Sequence, residues 1–310
     1  MENQTIEVSM IIRDEQAMLG RALESIKGVD SVTIIDTGSI DNTRDVVKKF
    51  KDSVKGITEV KYYENEYKWN KHFAEARNFS KSKCTKDWLL ILDGDEVLDS
   101  SVKDLRLVIN AANALKKDFV YFQVKAKKKN GMENSSIRAF RNIPEIKWKG
   151  AAHNYLVSTK GKNSKTSYIS DLKLGFYYSP THAAYPKRTL EILQNAVKKD
   201  PKLIREKFYL AREYAHFGYH VMALYWLDEY LKTARWRDEI AEAHLQKARC
   251  LWLLRKAEPA RVACMYAIMT NPDFKGAMLF MAKMNHEPRK SLWTNYAKYA
   301  KNTNVIFVKD

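Results

Sequence analysis

The chain has 310 residues and is 45% hydrophobic, which is enough for two domains and a sizeable core. Lys and Arg outnumber Asp and Glu 54 to 37, and the net charge of +17 divides as +7 up to Pro180 and +10 beyond it, so the excess is not a basic tail. Such a surface favours polyanionic partners such as nucleic acid, anionic lipid heads or acidic glycans, unless the lysines only serve solubility.

The N-terminal stretch lacks the apolar run of a signal peptide, and no segment reaches the roughly 20 apolar residues of a membrane span. Cys84, Cys250 and Cys264 contain no C-x-x-C pair, which argues against a disulfide framework or a zinc site. The expected location is the cytoplasm, or the inner face of a membrane as a peripheral protein.

In chain order, "IEVSMII" predicts a strand, "EQAMLGRALESIKG" a helix ending at Gly28, and "SVTIID" a second strand. "TGSIDNTRDVVKKF" reads as a turn and a helix, "TEVKYYE" as a third strand, "FAEARNFSKSKC" as a helix and "WLLILD" as a fourth strand. This alternation predicts an α/β domain with a mostly parallel sheet covered on both faces. From "DFVYFQVKAKKKNGMENSSIRAFRN" the pattern becomes strand-rich, as in a hairpin, and "STKGKNSKTS" reads as a mobile polar loop.

Beyond "YYSPTHAAYPKR" the signals are helical, with breaks expected near Pro201, Gly218, Pro259, Pro272 and Pro288. Ala211 and Ala223 recur as Ala248 and Ala260, each 37 residues on, a period close to that of tetratricopeptide helix pairs. Tyr209, Tyr214, Tyr225, Trp226 and Tyr230 are expected in the inter-helix core. The predicted division is residues 1–180 and 181–310.

The chemistry concentrates where "WLLILDGDEVLD" drives an apolar strand into Asp93, Asp95, Glu96 and Asp99. Ligands of open parallel sheets bind beyond the carboxyl ends of strands, where Asp93 would sit. Asp93 and Asp95 can point the same way, and two such carboxylates repel unless a cation such as Mg²⁺ or Mn²⁺ joins them. An EF-hand register fails, because Leu98 and Asp104 stand where Gly and Glu are needed. A solvated acidic turn is the plain alternative. "SMIIRDE" and "IIDTGSIDNTRD" bring further polar clusters to the ends of the first two strands.

Taken together, "VSMIIRDE", "VTIIDTGSIDNT", "FAEARNFSKSKCTKDWLLILDGDE" and "IKWKGAAHNYL" resemble the inverting family-2 glycosyltransferases of the GT-A fold. The helical tail is similar to that of a subgroup including the sublancin-type peptide S-glycosyltransferases. The resemblance implies a GT-A, Rossmann-like domain followed by an all-α tetratricopeptide-like domain. It implies that Ile12, Arg13 and Glu15 line a nucleotide pocket, that Asp36 reads the nucleobase, and that Arg77 and Asn78 face the nucleotide and the sheet. It also implies that Asp93 lies near the ribose and sugar, and that Asp95 and His153 bind the metal.

Relatives often carry His-Glu where this chain has His153–Asn154, and an amide cannot serve as a general base. Glu96 is the substitute expected here, with Asp93 beside it. The expected activity is metal-dependent, inverting transfer from a nucleoside-diphosphate sugar, a UDP-sugar by resemblance, with Mn²⁺ or Mg²⁺. A saccharide acceptor is favoured. A hydroxylated base of viral DNA, a peptide, or a degenerate fold kept as a binding module stay open. Lys and Arg from the 160–170 loop or from "YPKR" are expected to add positive charge on closure.

Overall fold

Strands β1 (Ile6–Ile12), β2 (Ser31–Asp36) and β4 (Trp88–Ile91) are buried at every position, as strands must be when both sheet faces are covered. The computed structural model describes residues 3–127, 133–159 and 166–300, which divide into two compact units, Met1–Pro186 and Lys187–Asp310.

In the first unit, β3 (Glu59–Glu64), β2, β1 and β4 run parallel, as the strand–helix alternation requires. The sheet continues through β7 (Glu133–Arg141), antiparallel to β4 and to its hairpin partner β6 (Phe119–Ala126), then β10 (Ser167–Phe176), parallel to β6, and the short β5 (Glu96–Leu98), antiparallel to β10, in the order β3-β2-β1-β4-β7-β6-β10-β5. The predicted hairpin is therefore present, although its tip at 128–132 lies outside the described residues, as do residues 160–165 of the polar loop.

Helices α1 (Leu19–Glu24), α2 (Thr43–Ser53), α3 (Phe73–Lys83) and α4 (Val102–Ala114) accompany the sheet, and the short α5 (Pro180–Ala184) follows its last strand in the chain. The fourth starts on Ser101, whose hydroxyl accepts from the Asp104 N–H and donates to the Asp104 carboxylate, and it buries Leu105, Ile109 and Ala112 along one stripe. A separate ribbon pairs β8 (Ile146–Lys149) with β9 (Tyr155–Ser158).

Strand order forces curvature. Four residues, Leu92–Asp95, join β4 to β5, while three strands separate the two in the sheet. A flat sheet would need about 19 Å for those four strand spacings, and the link reaches at most about 17 Å fully extended. The link contains a turn, so the sheet curls until its far edge meets the tip of β4.

One face holds a buried polar file. The Glu7 carboxylate accepts from the hydroxyls of Ser31 and Thr33, the backbone N–H groups of Thr85 and Lys86, and the Lys61 ammonium at 3.2 Å. Beside it Ser9 and Ser80 share a hydrogen bond.

The second unit comprises α6 (Arg188–Lys199), α7 (Ile204–His216), α8 (His220–Leu231), α9 (Arg237–Leu253), α10 (Ala257–Thr270), α11 (Lys275–Lys283) and α12 (Arg289–Tyr299). The pairs α7–α8, α9–α10 and α11–α12 pack in sequence, a tetratricopeptide-like stack. Ala211, Ala223, Ala248 and Ala260 are at most 1% exposed, and Ala297 extends the 37-residue series into α12. Pro259 does not end a helix. It sits in the first turn of α10, where a missing N–H forfeits no intrahelical bond.

The aromatic expectation divides. Tyr209 and Tyr230 are core residues, but Tyr225 is 54% exposed and lines a pocket with Tyr214 and Trp226. The reason is helical phase: α8 buries Ala223, Leu227 and Tyr230 on one stripe, Tyr225 falls on the opposite side, and Trp226, three residues after Ala223, sits half-buried at the stripe's edge.

Candidate active site

The loops after β1 and β2 are laced together. Asp14, at φ +53°, accepts the Ile40 N–H at 2.7 Å, while its own N–H donates to Ser39. The Glu15 N–H donates to the Thr43 hydroxyl at the start of α2, and Gln16 exchanges bonds with Asp41 and Asn42. Asp41, one residue earlier than the formal N-cap, accepts from the Thr43 N–H.

Ile12 is buried at the end of β1, and its carbonyl accepts both the N–H and the hydroxyl of Thr37. Arg13 is half-exposed, 3.6 Å from Asp14. Glu15 is 5% exposed and lies against Gly94: a Cβ there would come within 2.8 Å of Glu15 Cγ. The β1 loop therefore touches the acidic turn.

Asp36 ends β2 as expected, but its carboxylate is largely occupied. One oxygen accepts the N–H groups of Gly38 and Ser39, and the other accepts the Tyr62 hydroxyl at 2.7 Å. Three of about four acceptor sites are used, and the residue is 2% exposed. Burial, then the bond to Asp36, pushes the Tyr62 hydroxyl well above its usual pKa.

The acidic turn answers its own charge problem with arginines. Nη2 of Arg77, on α3, donates to Asp93 at 2.8 and 3.2 Å, and its Nε donates to Asn154 at 3.0 Å. Arg77 is 8% exposed, with its guanidinium over the Trp148 ring. Arg138, on β7, donates to both oxygens of Glu96 at 2.6 and 3.0 Å. Glu96 also accepts the Asp93 N–H, and burial raises its carboxyl's pKa while Arg138 pulls it down. A cation was expected to join Asp93 and Asp95; Asp93 is held by Arg77, and Glu96 by Arg138.

Asp95 is buried at 2% exposure, and its carbonyl accepts the Tyr177 N–H. His153 is exposed, in the turn between β8 and β9. Its backbone packs closely on Gly150, at φ +93°, where a Cβ would meet the His153 carbonyl at 2.8 Å. Carboxylate and imidazole are suitable donors for Mg²⁺ or Mn²⁺. Among the described residues, however, no three His, Cys, Asp or Glu side chains form a metal-holding group.

Asn78, expected with Arg77 to face the nucleotide and the sheet, engages the β8 ribbon. Its amide donates to the Trp148 carbonyl and accepts the Trp148 N–H, clamping β8 to α3. Sequence reasoning missed Arg138 and Tyr62 as partners of the acids. The only available signal was the rule that a buried carboxylate needs a counter-charge or donors.

No helix among the described residues is long and apolar enough to cross a membrane. A TPR repeat-containing protein of Synechococcus elongatus is 31% identical over 150 residues, covering 48% of this chain and 34% of that protein. The lipopolysaccharide core biosynthesis glycosyltransferase LpsC of Rhizobium meliloti is 30% identical over 104 residues, 34% of this chain and 36% of its own. The chain thus spans about a third of the length of these curated relatives. The structure of S. aureus TarS 1-349 in complex with UDP-GlcNAc aligns over 86% of this chain and 92% of that one, with a TM-score of 0.50 and 11% identity, a likeness of fold. The model of the family described as Glycosyl transferase family 2 matches residues 7–191, more than half of the chain, and the chain belongs to that family.

Proposed function

We propose that this chain transfers a sugar from a nucleoside-diphosphate donor, a UDP-sugar, to a saccharide acceptor with inversion at the anomeric carbon. The observation that carries this reading is the meeting of the β1 loop and the acidic turn at the carboxyl ends of β1 and β4, with Glu15 packed on Gly94. Family membership and a fold likeness to a protein solved with UDP-GlcNAc support it.

In this reading Arg13 and Glu15 flank the nucleotide. Asp36 shapes the base-side loop through its turn bonds, and Asn78 sets the β8 ribbon. Arg77 orients Asp93, the more open of the two paired acids, toward the donor sugar. Asp95 and His153 are the side chains that would hold Mn²⁺ or Mg²⁺, which when bound supplies Lewis acidity to the pyrophosphate.

The acceptor oxygen attacks the anomeric carbon as the bond to the pyrophosphate oxygen breaks. The nucleoside diphosphate leaves with that electron pair, and the acceptor's proton passes to a carboxylate. Asp93 suits this role by exposure, since Glu96 has both oxygens on Arg138 and serves better as the strut of the turn.

The test is a thermal-shift panel of nucleotide sugars with and without Mn²⁺, followed by donor hydrolysis. A UDP-sugar should raise the melting temperature in proportion to affinity, as ligands of the native state do. Asp95→Asn should lower hydrolysis at least 100-fold with its melting temperature little changed. Absence of any shift or hydrolysis across the panel overturns the enzyme reading and leaves a binding module. Transfer assays supplying single-stranded DNA with hydroxymethylated bases, or a peptide, decide between the other acceptors.

A further inference from the structure

The helical unit contains a concavity of its own. Helices α6, α7 and α8 surround about 260 Å³ lined by Lys198, Lys207, Tyr214, Tyr225, Trp226 and Glu229. This lies just below the range of about 300–1,000 Å³ typical of small-molecule sites, so it suits one ring or two and not a folded epitope.

Its polar lining is weighted toward donors, with Lys198, Lys207 and the Tyr214 hydroxyl beside the Gln194 amide and one carboxylate. Neither Lys198 nor Lys207 takes part in an ion pair within 4 Å among the described residues, although the charge of Lys207 acts on Glu229 across the pocket. The single acid, Glu229, is already bridged to Lys232 one turn along α8. The Tyr214 hydroxyl accepts from the Gln194 amide at 2.9 Å, which leaves its own proton without an acceptor among the described residues. Tyr225 and Trp226 meet edge to face at 5.1 Å, and Tyr225 is 54% exposed.

Two ammoniums and a phenol therefore offer protons beside open aromatic faces. The matching ligand is rich in acceptor oxygens, carries negative charge, and presents C–H-bearing faces to the rings. A saccharide with an acidic substituent has all three properties. An acidic peptide has the charge but not the ring faces.

We propose that this pocket binds a saccharide bearing an anionic group: carboxylate, sulfate or phosphate. The +10 charge of the chain beyond Pro180 would draw such a ligand to this unit. That the saccharide is the transferase's acceptor rests on the function proposed above; its binding does not.

Calorimetry on the full chain tests this, with tetragalacturonate and glucose 1-phosphate as probes. Maltotetraose and tetraglutamate are the neutral-sugar and charge-only comparisons. At least one anionic sugar should bind at least tenfold more tightly than either comparison. Tyr225→Ala and Lys207→Gln should each weaken it tenfold or more, while Lys298→Gln, on α12, leaves it unchanged. UDP affinity should be equal in all three variants.

Binding of neither anionic sugar overturns the proposal. So does equal binding of maltotetraose or tetraglutamate, or a loss with Lys298→Gln as large as with Lys207→Gln. Calorimetry needs no turnover, so failure of donor hydrolysis and failure of this pocket are separately visible.

Discussion

Arg77 holds Asp93 through a single nitrogen, Nη2, at 2.8 and 3.2 Å, and uses its Nε to reach Asn154 at 3.0 Å. One helix-borne guanidinium thus ties the acidic turn to the ribbon loop. Asn154 serves there as an acceptor for Arg77.

That relationship predicts coupling. Arg77→Ala should destabilise the first unit by about 2–3 kcal/mol, since Asp93 is only partly screened by solvent. A double-mutant cycle with Asp93→Ala in urea unfolding should give an interaction energy of at least about 1 kcal/mol. Additive losses would show that the two side chains act independently.

The buried Glu7 predicts a pH dependence. Burial alone would raise its pKa, but the bonds from Thr33, Thr85 and Lys86 and the charge of Lys61 outweigh it and hold the pKa below its usual 4.5. A lowered folded-state pKa contributes stability that is present above 4.5 and lost as pH falls through the folded value. Glu7→Gln should cost about 2–3 kcal/mol at pH 7, and its urea midpoint should fall less than the wild type's below pH 4.5. Parallel pH curves for the two proteins would count against this assignment.

Gly94 predicts a steric effect at the site. An added Cβ would lie 2.8 Å from Glu15 Cγ and 3.2 Å from its Cβ, so Gly94→Ala should cost about 1–3 kcal/mol. Combining it with Glu15→Ala should recover part of that loss in thermal unfolding. An unchanged melting temperature for Gly94→Ala alone would mean that the loops can part freely.

The alanine series predicts where the helical unit is least tolerant. Ala260 is fully buried where α9 and α10 pack, so Ala260→Leu should lower stability by about 1–3 kcal/mol through overpacking. Val262→Leu, at an exposed position of the same helix, should change it by less than about 0.5 kcal/mol. Far-ultraviolet circular dichroism melts compare the two directly.

The parallel half of the sheet was legible because its strands are continuous apolar runs between amphipathic helices, a local pattern. The alanine spacing was legible for the same reason: each repeat buries its own small residues. What could not be read was which distant side chain answers which charge. Arg138 reaches Glu96 only because β7 inserts next to β4, a pairing that no local pattern encodes. Tyr62 reaches Asp36 across the β2–β3 register, and Asn78 engages Trp148 at 70 residues' separation. Tyr225 on α8 shows the converse: a residue that reads as core becomes a pocket wall through its helical phase.

The four-residue link between β4 and β5 makes length itself a constrained quantity. Because Leu92–Asp95 acts as a tether drawn across the curl, an inserted residue there would let the far edge relax and swing Arg138 off Glu96. The number of residues in this link is therefore as much a part of the acidic turn's architecture as their identity.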